Sequence, residues 1–163
     1  MITEKAFTSL IKQHRGIIYK VSSIYAKDHE DQKDLYQEIV YQLWKSIDSF
    51  QSKSKLSTWI YRLALNTAIA HLNKEKKRLD KSPLHFDIQL SAAPYDPTYE
   101  ERLASLHKQI KRLNIIEKGI ILLYLEGKSY DEIAQITGFS SSNVGTRLSR
   151  IKQKLKKQVQ NQE

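Results

Sequence analysis

All three prolines of this 163-residue chain fall between positions 83 and 97, and this confinement constrains the fold more than any other feature. Proline removes a backbone donor and restricts the residue before it, so a continuous helix is not expected across 79–98. The chain has only five glycines, which favours long helices over many short strands. We therefore predict an all-α chain of two small helical domains, residues 1–78 and 99–163, joined by a flexible linker at 79–98.

Apolar residues in the first domain recur at the spacing of one helix face, which predicts three helices. Between the second and third helices, residues 49–57 form a stretch rich in serine and lysine and predict a loop. The three sets are Leu10, Ile11, Ile17, Ile18, Val21 and Ile24; then Leu35, Ile39, Val40, Leu43, Trp44 and Ile47; then Ile60, Leu63, Ala64, Thr67 and Ala68.

The second domain has the helix start and stop signals of a helix-turn-helix. Ser129 and Glu132 have the spacing of a capping box, which starts a helix by pairing side chains with its first amides. Gly138 ends that helix and supplies the positive φ of a tight turn, and a serine at 140 or 141 caps the next helix. Ala134 allows the two helices to cross closely.

The last helix has one apolar face and one basic, polar face. No acidic residue occurs from Ile133 to Gln162, although six basic residues do. One-signed charge on a helix is better explained by a polyanionic partner than by a solvated face, with a charged C-terminal tail as the alternative. The residues predicted to contact DNA in the major groove are Asn143, Thr146, Arg147, Arg150 and Lys154.

Composition narrows the function classes. The net charge of +9 consists of +6 on the first predicted domain, −2 on the linker and +5 on the second domain, and it suits a nucleic acid or an anionic membrane face. The absence of cysteine excludes disulfides and thiolate chemistry, and no paired-histidine motif, phosphate loop or nucleophile elbow is present. We expect no enzyme activity, metal, cofactor or small-molecule substrate. No apolar run is long enough to span a bilayer, and no signal peptide is recognisable.

Two motif blocks in the first domain carry a family resemblance. The run Asp31-Gln-Lys-Asp-Leu-Tyr-Gln-Glu-Ile-Val-Tyr-Gln-Leu-Trp44 is followed by Ile47-Asp-Ser-Phe50 and then by Leu56-Ser-Thr-Trp-Ile-Tyr-Arg-Leu-Ala-Leu-Asn-Thr-Ala68. Together they closely resemble regions 2.2 through 2.4 of extracytoplasmic-function (ECF) sigma factors, and residues 99–157 resemble region 4. The resemblance covers nearly the whole chain in the order and spacing of the family.

The resemblance implies a role for each block. The second helix would dock on the β′ clamp helices of core RNA polymerase, and region 4 would meet the β flap and the −35 element of promoter DNA. A loop would hold a base flipped out of the −10 element, and the third helix would line the adjacent single strand. The polymerase-binding residues would be Asp31, Asp34, Leu35, Gln37 and Glu38. The −10-binding residues would be Ser49, Phe50, Lys53, Thr58, Trp59, Arg62 and Asn66, although Trp59 equally suits the core.

The chain departs from the family at Gly145, where many relatives have a basic residue after the valine of the recognition helix. The usual −35 contact at that position is absent, and we expect the glycine to let the backbone approach DNA closely.

The resemblance also implies a cytoplasmic location and an anti-sigma factor that holds the two domains inactive, in some cases at the membrane. The main alternative is a conventional helix-turn-helix regulator that binds duplex operators. A helical adaptor without DNA binding is the other.

Overall fold

A computed structural model describes residues 1–79 and 99–160. Within these ranges helices are joined by short loops and no strand occurs, which confirms the predicted all-α fold class. The predicted linker lies, apart from its first residue, outside the described residues. The helices are α1 (Glu4–Tyr25), α2 (His29–Ser46), a short 3-10 helix (Ile47–Ser49), α3 (Leu56–Leu79), α4 (Tyr99–Lys111), α5 (Ile115–Leu125), α6 (Tyr130–Thr137) and α7 (Ser141–Gln160).

Helices α1, α2 and α3 pack against one another in a three-helix bundle. Thr3 caps α1 and Asp28 caps α2, each through a side-chain oxygen that accepts from an amide of the first turn. The bundle core consists of the apolar stripes that the sequence predicted, and its fully buried members include Ile18, Leu35 and Ile60. Trp44 departs from that prediction: it is 43% exposed and packs edge-to-face on Phe7.

Helices α4 to α7 form the second half of the molecule. Both predicted helix-turn-helix signals are present: Ser129 and Glu132 form a capping box, and Gly138 adopts a left-handed φ of 87°. The Ser140 hydroxyl accepts from the Asn143 amide at 3.1 Å, so Ser140 rather than Ser141 caps α7. Helix α5 also begins with a capping box, formed by Asn114 and Glu117. Four apolar residues attach α7 to the other helices, namely Val144, Leu148, Ile151 and Leu155.

The two halves touch directly. Helix α5 packs on α1 and helix α6 packs on α3, and the buried apolar residues of both halves form one cluster. The Tyr25 hydroxyl donates to the Ile115 carbonyl at 2.7 Å, and burial raises the pKa of this phenol well above its usual value. A Cβ on Gly119 would lie 3.1 Å from the same hydroxyl, so glycine permits this close approach.

Candidate nucleic-acid interface

The recognition helix α7 presents an outward face without acidic residues. Thr146 and Arg150 are exposed, as is Asn143, and all three were predicted to contact DNA. Ser142 and Ser149 are exposed along the same helix, at the i, i+4, i+7 spacing that they share with Thr146. The sequence reasoning missed both serines because a hydroxyl carries no charge that would distinguish it from an ordinary surface residue.

Arg147 is preorganised on this helix. Its Nε donates to the Asn143 carboxamide oxygen at 2.9 Å, and its guanidinium lies 4.4 Å from the centroid of the Phe139 ring. A guanidinium stacked on an aromatic face loses less rotamer freedom when it binds, which suits recognition of a base edge or a phosphate. Asn143 therefore both positions Arg147 and lies beside it on the same surface.

Two residues of α7 make contacts that the sequence did not predict. The Lys154 ammonium pairs with the Glu117 carboxylate at 3.1 Å, which directs it to the start of α5, and its DNA contact stays a prediction. Gly145 is half-buried, and a Cβ there would lie 3.4 Å from the Tyr130 ring. The Tyr130 ring thus packs on the face of Gly145 where a side chain would lie, and the close approach of the Gly145 backbone to DNA stays a prediction.

A groove of about 700 Å³ separates α2 from α3. Arg62 and Asn66 of α3 are exposed and line it, together with half-buried Trp59. The Trp59 ring packs on the Phe50 ring at 5.3 Å between centroids, so Trp59 both supports the loop and lines the groove. The α3 wall, with Trp59, Arg62, Asn66 and Lys74, has the basic and aromatic chemistry that binds single-stranded nucleic acid, whereas Asp34 and Glu38 line the opposite wall.

The other predicted −10 residues divide into exposed and buried. Lys53 is exposed in the loop before α3, and so is Ser49, whose hydroxyl donates to the Ser46 carbonyl at 2.6 Å. Thr58 is only 5% exposed. Its predicted contact with the single strand is corrected to a packing role, because a side chain buried in the first turn of α3 cannot reach a ligand.

The predicted polymerase-binding helix α2 exposes three of its five predicted residues, Asp34, Gln37 and Glu38. Leu35 is fully buried and Asp31 is 7% exposed, so direct contact of these two with a partner is corrected to a supporting role. Leu35, which follows Asp34 directly and precedes Glu38 by three residues, anchors α2 in the core.

Asp31 of α2 joins the α1–α2 loop and α3 through its carboxylate, which accepts from the Lys27 amide at 3.0 Å and contacts His71 Nε2 at 2.7 Å. Burial alone would raise its pKa, but the Lys27 amide and His71 outweigh burial and hold the pKa below its usual value. Asp31, His71 and Glu75 each bring one ligand atom within 4.8 Å of the others, a grouping that could hold a metal ion. An ion there would compete with the Lys27 ammonium, which lies 3.3 Å from Glu75.

An apolar cleft next to the exposed acids of α2 escaped the sequence reasoning. Tyr41 is 55% exposed and, with Trp44 and Val40, lines a cleft that Phe7 and Ile11 close from α1. The helical period assigned Trp44 to the core because periodicity cannot distinguish the edge of an apolar stripe from its centre.

Among the helices of the described residues, none has the length and apolar character that a membrane span requires.

Comparisons with known proteins agree with this geometry. The family model for sigma-70 region 2 matches residues 10–78, and that for sigma-70 region 4 matches residues 103–155. RNA polymerase sigma factor SigV of Bacillus subtilis is 28% identical over 91% of this chain and 87% of its own. The ECF RNA polymerase sigma-E factor of Haemophilus influenzae is 27% identical over 96% and 89%.

The fold is likewise that of a solved sigma factor. The structure of RpoE in complex with the anti-sigma factor NepR from Bartonella quintana superposes with a TM-score of 0.76, at 20% identity, over 96% of this chain and 98% of that chain. Two sigma-70 region models in their family order, full-length relatives and a helix-turn-helix in the region 4 position agree. The chain belongs to the sigma-70 family, within its ECF group.

Proposed function

We propose that this protein is an initiation subunit of RNA polymerase that directs promoter-specific transcription and helps to melt promoter DNA. One observation carries the proposal: the chain has two separate surfaces with nucleic-acid chemistry. One is the acid-free face of α7, and the other is the α2–α3 groove with Trp59, Arg62 and Asn66. A conventional duplex regulator would have no use for the second surface.

The partner proposed for each surface follows from the charge of its side chains. Asn143, Arg147 and Arg150 on α7 read the −35 element, with Thr146 beside them. On the α3 wall of the groove, Trp59, Arg62 and Asn66 bind the melted −10 strand, with Ser49, Phe50 and Lys53 at its entrance. The α2 wall carries Asp34 and Glu38, whose negative charge would repel DNA phosphates. These acids therefore suit a basic protein surface, the β′ clamp helices.

The polymerase contact extends, in this proposal, beyond the acids into the apolar cleft of Tyr41 and Trp44. Large aromatic side chains beside charged ones are the usual anchors of protein interfaces. The region 4 half would bind the β flap.

Binding to purified core polymerase tests the proposal. The wild-type chain should bind core, whereas Glu38→Ala and Trp44→Ala should each weaken binding by about 1–3 kcal/mol, the range of interface anchors. Affinity of the same variants for −35 duplex DNA should be unchanged, because neither residue lies in the α7 half. A wild-type chain that binds duplex DNA tightly but never binds core would support the operator-binding regulator instead.

The same proposal places the protein in the cytoplasm, where polymerase is. It also gives it an anti-sigma factor as partner, since the structural neighbour RpoE was solved with one.

A further inference from the structure

Three intervals of the chain extend for more than twenty residues without an aspartate or a glutamate, namely 5–27, 49–74 and 133–162. The second interval contains the α3 wall of the −10 groove, and the third contains the recognition helix α7. Both therefore coincide with the nucleic-acid surfaces proposed above. The first interval covers nearly all of α1 and carries five lysine and arginine residues, yet neither surface includes it.

The five cations of this first interval fall into two groups. Lys20 and Lys27 each form an ion pair with a carboxylate of another element, at 2.6 Å and 3.3 Å. Lys5, Lys12 and Arg15 are exposed and make no ion pair with any residue that the structure describes. Three positive charges on one helix are thus left without a negative partner in the described parts of the chain.

These three cations lie on one face of α1 together with an exposed aromatic residue. Lys5, Lys12, Arg15 and Tyr19 follow one another at intervals of seven, three and four residues, which places them along one stripe of a helix. Tyr19 is 60% exposed, whereas Ile18 on the opposite face is fully buried. We call these four residues the α1 stripe.

The α1 stripe has the chemistry that binds phosphates. From Lys5 to Tyr19 it is about 21 Å long, at about 1.5 Å per residue. Each strand of duplex DNA carries a phosphate about every 3.4 Å along the axis, so the stripe can lie against several phosphates. Ammonium and guanidinium groups neutralise these charges, and a tyrosine hydroxyl donates to a phosphate oxygen. Because the interval contains no carboxylate, its own side chains do not repel a polyanion.

Duplex DNA fits the α1 stripe better than other polyanions do. An amphipathic helix binds an anionic bilayer by inserting its apolar face, and the apolar face of α1 is buried in the core. Single-stranded nucleic acid needs successive aromatic rings on which its bases stack, and the stripe has only Tyr19. The row of cations instead matches the charge of a phosphate backbone and offers little that could read a base.

We propose that the α1 stripe is a third nucleic-acid surface, which binds the phosphate backbone of duplex DNA without reading its sequence. This role goes beyond the −10 and −35 contacts of the proposed function, because it requires neither promoter element and no polymerase. Such a surface holds the chain on DNA of any sequence and lets it slide or hop along the duplex. It raises the affinity for promoter and non-promoter DNA by the same factor.

Neutralising the α1 stripe tests the proposal. The variant Lys5→Gln/Lys12→Gln/Arg15→Gln removes three positive charges at exposed positions. Binding of the full chain to a random-sequence duplex is titrated from about 50 to about 200 mM salt. Each lost phosphate contact lowers the slope of log K against log salt by about 0.9 in magnitude, so the slope should fall by about 2–3. The affinity at low salt should fall by about tenfold.

A control variant removes the same charge elsewhere. Arg102→Gln/Lys108→Gln/Arg112→Gln neutralises three exposed cations of α4 and the turn after it, and should leave the slope close to that of the wild type. Thermal unfolding checks that both triple variants are folded. If the stripe variant is not, Lys12→Gln alone should still lower the slope by about one. A stripe variant with the wild-type slope, or equal losses in the stripe and control variants, would overturn the proposal.

The lack of sequence preference has a readout of its own. The stripe variant should lose the same factor of affinity for a −35 duplex as for the random duplex, because phosphates carry no sequence information. Arg150→Ala should lose more on the −35 duplex. A stripe variant that loses affinity for the −35 duplex alone would contradict binding to the backbone.

Crosslinking identifies the partner directly. A photoreactive benzoylphenylalanine in place of Tyr19 should crosslink the full chain to the random duplex, whereas the same residue in place of Tyr41, in the apolar cleft of α2, should not. Absence of a DNA crosslink from position 19, or a crosslink only to core polymerase when polymerase is added, would overturn the assignment to DNA. Failure of the wild-type chain to bind core would count against the proposed function and leave these DNA measurements to judge the α1 stripe.

Discussion

At the scale of single residues, the site depends on side chains that hold others in place. Asn143 and Phe139 fix Arg147, and Asp31 joins the start of α2 to His71 of α3. The sequence indicated where the binding surfaces lie, but not which side chains on those helices are exposed and which are buried. Asp31, Leu35 and Thr58 belong to the motif blocks that carry the family resemblance, yet they are buried. A residue in such a block can serve packing rather than binding.

Asp31 should make a pH-dependent contribution to stability. Its folded pKa lies below the unfolded value of about 3.9, so its stabilisation is complete above about pH 5 and is lost as pH falls through the folded pKa. Asp31→Asn should lower the free energy of unfolding by about 1–3 kcal/mol at pH 7, as expected for disrupting a buried charged hydrogen-bond network.

Urea unfolding across pH 3–7 measures this difference, with exposed Asp34→Asn on the same helix as the control. The gap between wild type and Asp31→Asn should persist from pH 7 to 5 and narrow below pH 4. A gap that closes already between pH 7 and 5 would contradict the assignment.

At the scale of elements, the residues that start and end helices made the helix-turn-helix predictable. The Ser129–Glu132 capping box and left-handed Gly138 each depend on residues that are close together in the sequence, and both occur where predicted. Such signals are formed by hydrogen bonds between residues that are near in sequence. The packing of Tyr130 over Gly145, in contrast, depends on a residue fifteen positions away. No spacing rule anticipates that contact.

Two glycines give opposite predictions for the same substitution. Around both Gly16 and Gly138 a new Cβ would meet no atom within 4 Å, so backbone conformation alone decides the effect. Gly138→Ala should destabilise the protein by about 1–2 kcal/mol, since alanine is strained at positive φ. Gly16→Ala, inside α1, should stabilise it by up to about 1 kcal/mol. Thermal unfolding of both variants checks this, and a shift of the same sign in the two would contradict the structural assignment.

The recognition helix supports a paired prediction as well. Arg150 is exposed on α7, whereas Lys154 is paired with Glu117. Arg150→Ala should weaken binding to −35 duplex by about 1–3 kcal/mol, the value of a bidentate base contact. Lys154→Ala should cost less under the same salt. Equal losses in a fluorescence titration would indicate a general charge effect rather than a specific contact.

At the scale of the whole molecule, proline placement and helical periodicity indicated two helical halves, but not how they meet. The contact of Arg62 with Gln135 and of Lys20 with Glu126 joins residues 73 and 106 positions apart. Neither pair stands out in the sequence, because surface arginines, lysines and glutamates have many equivalent partners. The proposed function explains why both surfaces exist.

Transcription by reconstituted holoenzyme tests the account most directly. Core polymerase with this chain should start transcripts at a limited set of sites on genomic DNA, each preceded by shared −35 and −10 sequences, and core alone should not. Starts should fall with Arg62→Ala and with Arg150→Ala. An unchanged start pattern when the chain is added, despite its binding to duplex DNA, would contradict the claim that it is a promoter-directing subunit.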